Sequence, residues 1–192
     1  AGDRLDVEVV GVFRDLLPQL GEAVASFGVS DQPGVAPKAA GGTNIEGLAA
    51  TPEGHLLIGF RNPLKDGLAL VVHVSNPVEM TTQGAPPKVL ATQHIGLGAT
   101  GGLGVRAMES RHPSLLIVAG PTAGGGPFVL HSHPANGPGI PIPKGLNAEA
   151  LFIAEDGVHL LSDDGTVAVG DGPCKEAPDA LKSFRGVVLS EE

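Results

Sequence analysis

Tryptophan and tyrosine are absent, and six phenylalanines are all the aromatic side chains this chain has apart from its histidines. The 29 glycines and 17 prolines run the other way. Long helices are excluded by that balance, because Gly costs about 1 kcal/mol and Pro about 3 relative to Ala inside one. Many short strands joined by tight turns are what remains. A single cysteine, Cys174, rules out any disulfide within the chain and leaves the compartment open. Basic residues are also scarce: 12 Lys and Arg are spread along the chain against 21 acids, for a net charge of −9. Phosphate backbones need basic residues concentrated on one face, so nucleic acid is excluded as a partner. An acidic balance suits solubility or cation binding. No run approaches the roughly 18 apolar residues of a membrane span, and no basic-then-apolar leader opens the sequence. Ala1 in place of Met suits a processed or trimmed chain, and a periplasmic or secreted location is expected ahead of a cytoplasmic one.

What is present is a protein of 192 residues, 42 % apolar, enough to bury a core. Asp6 to Phe13 alternates as a strand does. Leu16, Leu17, Leu20, Ala23, Val24 and Phe27 make a helical stripe, interrupted by Pro18 and Gly21, so a short or broken helix is expected. Residues 28–43 form a Gly- and Pro-rich loop. Short strands then recur: 44–50, 55–60, 68–74 and 89–92, with a polar loop over 81–87. A second group covers 103–108, 115–121 and 128–131, followed by a Pro- and Gly-rich connector over 134–145. A third covers 149–154, 158–162, 166–169 and a terminal strand at 184–189.

One pattern organises this series. Asn44-Ile45-Glu46-Gly47-Leu48-Ala49-Ala50, then Gly54 and Leu56 to Pro63, returns without a gap as Asn147-Ala148-Glu149-Ala150-Leu151, then Gly157 to Gly165. Units of a few short strands that resemble one another suit propeller blades, which run roughly 40–50 residues. A sandwich has similar strand spacing but no unit-to-unit likeness. The expectation is therefore an all-β, propeller-like repeat domain over 1–192. Its units span about 44–92, 102–133 and 146–189, with a strand and short helix in 6–27.

On Asn44 to Ala49, Leu57 to Pro63, Gly104-Val105-Arg106, Ile117 to Pro121 and Asn147 to Leu151, the chain resembles a bacterial family of unknown function with repeats of the acid-Ile-Glu-Gly-Leu-Ala kind. More distantly it is similar to phytase-like and gluconolactonase-like propellers. The resemblance covers about residues 5–190. It implies Asp where Asn44 stands, and a longer chain with blades before this one begins. Three units do not close a propeller, so it further implies a portion of a ring, a homodimer, or an open array with protected edges.

Three glutamates are the first candidates for chemistry. Glu46, Glu109 and Glu149 stand as equivalents, and first strands of successive blades line a channel. A ring of carboxylates is tolerable with a hard cation, with arginines or with raised pKa values. Calcium is the cation that oxygen ligands select. The alternatives are glutamates that tie neighbouring blades through hydrogen bonds, or a catalytic acid or base. Arg61 and Arg106 end or enter apolar stretches, suited to clamping an anion or pairing with those glutamates. Asp163-Asp164-Gly165 is a turn sequence. Gly96 to Gly101 matches GxGxxG but lacks the helix a dinucleotide site needs. His131 and His133 share one side of a strand without a third zinc ligand in sight, and Cys174 has no histidine partner nearby.

The expected function is a small ligand or metal ion bound in a channel lined by Glu46, Glu109, Glu149 and Arg61. Its hydrolase version acts on phosphate or ester compounds, with Glu46 or Glu149 holding a cation or acting as base and Arg61 steadying the anionic group. The alternative is a non-catalytic scaffold that binds another protein.

Overall fold

The computed structural model describes residues 8–29, 34–39, 41–99, 102–134 and 138–190. The chain is mostly β, with three short helices and several antiparallel sheets. Strands β1 (Asn44–Ala50), β2 (Leu56–Asn62), β3 (Leu68–Val74) and β4 (Val89–Gly96) form one sheet in sequence order. β5 (Gly104–Arg111), β6 (Ser114–Gly120), β7 (Val129–His133) and the two-residue β8 (Ile140–Pro141) form a second in the same way. β9 (Ala148–Ala154) and β10 (Gly157–Ser162) form a third, with β13 (Gly186–Leu189) on the outside of β10. A small ladder of β11 (Ala168–Val169) and β12 (Gly172–Pro173) lies in the connection to β13. The first strands sit together: β1 lies against β5, and β5 against β9. The described residues form no closed barrel.

Side-chain alternation explains why the sheets stack. Successive strand residues point to opposite faces, and in β2 and β3 both faces are covered. Ile58, Phe60, Leu70, Val72 and Val74 join Leu20 and Val24 of the N-terminal helices and Phe27 of the turn that follows them, while Leu57, Ala69 and Val71 face the second sheet. β6 divides likewise: Leu115, Ile117 and Ala119 face the first sheet, and Leu116 and Val118 face the third. These strands are therefore near-continuous apolar runs. Three glycines permit the close approach. Cβ atoms on Gly47 and Gly59, which pair across β1 and β2, would fall 2.5–2.9 Å from side-chain atoms of Val105 and Met108. One on Gly104 would fall 2.1 Å from the carbonyl oxygen of Arg61.

The helical stripe is broken as expected, into α1 (Leu16–Leu20) and α2 (Glu22–Ala25) on either side of Gly21. Two expectations need correction. Glu8 to Phe13 forms no strand; Asp6 and Val7 lie outside the described residues. Gly11 instead rests against the backbone of Thr81, and Val9, Val10 and Val12 are exposed. Thr81 belongs to a helix, α3 (Pro77–Gln83), where a loop was expected. Pro77 sets its first turn, Met80 buries its one core contact, and Gly84 ends it at φ 68°. So short a helix shows too little periodicity to be read from sequence.

Gly104→Ala tests the close packing directly. Forcing a methyl against backbone is expected to cost about 1–3 kcal/mol in urea unfolding. An unchanged midpoint would mean that β5 does not lie this close to the end of β2.

Candidate functional site

Each of the three first strands carries a β-bulge near its start. The register slips at Glu46 in β1, at Arg106 in β5 and at Glu149 in β9. A bulge leaves one residue out of the ladder and re-aims its side chain. Here the three re-aimed side chains meet. One oxygen of Glu46 accepts hydrogen bonds from Arg61 at 2.9 Å and from Asn44 Nδ2 at 2.8 Å. The other lies 2.7 Å from Nε of Arg106, with the N–H directed elsewhere, so that contact is an ion pair rather than a hydrogen bond. On its other side the Arg106 guanidinium pairs with Glu149. Asn147 repeats the role of Asn44, donating to Glu149 Oε1 at 3.2 Å. The carbonyl of Pro121, just beyond β6, accepts from both arginines, from Arg61 Nε at 3.1 Å and from Arg106 at 3.2 Å.

The sequence-derived candidates are thus partly regrouped. Glu46, Arg61, Arg106 and Glu149 come together. Glu109 does not: it lies three residues beyond the bulge of β5, opposite Leu116, and among the described residues no hydrogen bond or ion pair links it to the network. The true counterpart of Glu46 in the second sheet is Arg106. Gly104-Val105-Arg106-Ala107-Met108 aligns with Asn44-Ile45-Glu46-Gly47-Leu48 once the charge is allowed to change sign. Its opposite charge hides it from a pattern of like residues. Among the described residues no three His, Cys, Asp or Glu side chains group as metal ligands.

Burial sets the electrostatics. Both arginines are 3 % exposed, whereas Glu46 and Glu149 are 20 % and 31 % exposed. Desolvation pulls the Arg106 guanidinium below its usual pKa and the neighbouring Arg61 adds to that, while Glu46 and Asp163 oppose it. The Arg106 guanidinium carbon also stands 5.3 Å from the Phe128 ring centroid. Beside this network opens a cleft of about 550 Å³. Its lining includes Arg61, Arg106, Asn147, Glu149 and Asp163, with Lys38 and the Gly124–Gly126 loop at its border.

Most of the remaining candidates have structural partners. Asp163 closes a turn, accepting from the Gly165 N–H at 2.9 Å. Asp164 is buried, and hydrogen bonds from Arg185 and Ser162 hold its carboxyl far below the usual carboxylate range despite burial. That contact fastens the start of β13 to the end of β10. His131 is buried, with Nε2 accepting the Gly98 N–H at 2.8 Å; burial depresses its pKa and that of His133. Gly96 ends β4, and strand β5 follows where a dinucleotide site would have a helix. Cys174 is buried, its Sγ 3.3 Å from the Ser183 carbonyl. No described helix is long and apolar enough to cross a membrane.

Residues 30–130, more than half the chain, match the family described as Protein of unknown function (DUF3616). The chain belongs to this family. No curated protein and no solved structure matches it. The DUF3616 match takes in the first sheet and most of the second, with Glu46, Arg61 and Arg106, and stops before Glu149 and Asp163.

Arg106→Met leaves the carboxylates of Glu46 and Glu149 facing each other without the cation between them. Breaking a buried pair from one side costs about 3–5 kcal/mol. Denaturant unfolding of this variant is expected to show a loss of that size. A variant as stable as the parent would mean that the bridge contributes nothing.

Proposed function

We propose that the three sheets are blades of a propeller-type arc, with units at about 44–92, 102–133 and 146–189, and that the protein binds a small ligand where their bulged residues gather. The arc reading rests on β1, β5 and β9 lying side by side as the first strand of each sheet, with the same bulge in each. The binding reading rests on one observation above all. The network borders a cleft of about 550 Å³, a size typical of small-molecule sites.

The groups offered to that cleft favour binding over turnover. Glu149, Asp163 and Asn147 are accessible, while Arg61 and Arg106 are buried and engaged with glutamates and the Pro121 carbonyl. A hydrolase of phosphate or ester compounds would need a guanidinium free to meet developing negative charge. In this reading Arg106 also takes the place a calcium ion would hold between Glu46 and Glu149. The alternative, a non-catalytic scaffold, is favoured by a different observation. On the third sheet, Phe152 and Val188 are 42 % and 44 % exposed. Such a face suits a protein partner, a second copy or a further blade.

Amide NMR titration tests the reading. A set of small polar compounds is expected to perturb residues 122–126 and 145–149 selectively, and calcium is expected to perturb neither these nor Glu46. Perturbations scattered over the surface would remove the ligand site. A calcium response centred on Glu46 and Glu149 would reinstate the metal in place of Arg106.

A further inference from the structure

Phe128, Gly126, Gly145 and Leu146 border a second, larger cleft of about 760 Å³ beside the first. Its chemistry is different. Leu103, Phe128, Val129, Ile142 and Leu146 supply an apolar lining, and Phe128 and Ile142 are themselves largely buried. The walls are fixed by hydrogen bonds within the protein. The Ile142 N–H donates to the Phe128 carbonyl at 2.9 Å. On the other wall the Gly98 N–H donates to Nε2 of His131, which is 3 % exposed. That bond requires an unprotonated Nε2, so His131 anchors the wall as a neutral imidazole. The cleft is therefore preformed, which limits the ordering cost of filling it.

Charge decides what it takes. Acids outnumber bases 21 to 12 in the chain, yet among the described residues no carboxylate borders this cleft. Lys144 is the one charged residue lining it among the described residues. The lysine is exposed, and none of the ion pairs or hydrogen bonds among the described residues engages it. An apolar enclosure with a single unpaired ammonium matches a molecule with an apolar body and one negative charge.

We propose that this cleft binds a small amphipathic carboxylate, its alkyl or aryl body against Leu103, Phe128 and Leu146 and its carboxylate on Nζ of Lys144. The proposal rests on the small-ligand reading above and extends it to the neighbouring cleft. Apolar area removed from water supplies the attraction, and a charge-assisted hydrogen bond to Lys144 selects the anion.

Calorimetric titration of the whole chain with octanoate, octan-1-ol and octylamine near neutral pH tests it. Octanoate is expected to bind about tenfold more tightly than octan-1-ol, the worth of one charged hydrogen bond, and octylamine more weakly than either. Lys144→Ala is expected to bring octanoate down to the level of octan-1-ol and leave octan-1-ol unchanged. Ala99→Asp, at an exposed position on the wall that Gly98 anchors, is expected to weaken octanoate selectively. Asp163→Asn, in the polar cleft, is expected to leave octanoate unaffected, which keeps this site separable from the first. Absence of octanoate binding at millimolar concentration, equal binding of octylamine, or insensitivity to Lys144→Ala would each overturn the proposal. Octanoate binding lost in Asp163→Asn but kept in Lys144→Ala would move the anion to the polar cleft and overturn it as well.

Discussion

Two glutamates and one arginine, each lifted out of its ladder by a β-bulge, hold three sheets at a single point. Arg106 comes from the first strand of the middle sheet and faces Glu46 from one side and Glu149 from the other. A buried cation is costly unless its charge and its hydrogen bonds are met. Here the counter-charges come from two other sheets, a backbone carbonyl accepts one hydrogen bond and an aromatic ring lies alongside, while the Nε–H is left without a hydrogen-bond partner among the described residues. The position of the third sheet relative to the first is thus tied to one guanidinium in the second. Arg61, bonded to Glu46 and to the same Pro121 carbonyl, links the end of β2 to the end of β6.

Packing around that point follows from it. Strands that bring charged residues together at their starts must also lie close along their lengths, and glycine makes this possible at Gly47, Gly59 and Gly104. The apolar surface between the sheets is then filled by alternate residues of strands buried on both faces. The clefts open where this packing ends, between the Gly-rich loop after β6 and the segment leading into β9. Arg106 and Glu149 of the bridge line the polar cleft, and Phe128, against the Arg106 guanidinium, borders both clefts. A ligand in either cleft would therefore lie beside the element that fixes the arrangement of the sheets.

Much of the fold was legible in the sequence. Alternating aliphatic runs separated by Gly and Pro marked β1 to β7, β9 and β10 close to their observed bounds, and Gly21 marked the break between α1 and α2. What escaped had physical reasons. α3 is too short for periodicity to register. Glu8 to Phe13 has the composition of a strand but lies against α3 without a strand partner. The site was half legible. The Asn-x-Glu repeat identified Glu46 and Glu149, and arginines were named as one means of tolerating close carboxylates. Glu109 resembles them in sequence because it is the acid that the second unit offers. The structure satisfies the repeat with the opposite charge at Arg106. Which residue a bulge re-aims depends on register, and register is set by pairing across strands. The apolar cleft had no local signal at all, since its walls come from segments far apart in sequence.

The claim that one arginine ties the outer sheets is tested most directly by a double-mutant cycle between residues that do not touch each other. Unfolding free energies of Glu46→Gln, Glu149→Gln and the double variant measure whether the two carboxylates act through a shared partner. With either carboxylate lost, the other still meets the charge of Arg106. With both lost, the buried guanidinium loses both ion-pair partners and keeps only the influence of Asp163. The double variant is therefore predicted to lose more than the sum of the singles, by at least about 0.5 kcal/mol and up to about 3. Losses that add within about 0.3–0.5 kcal/mol would contradict the account, because they would show that Glu46 and Glu149 stabilise their sheets independently.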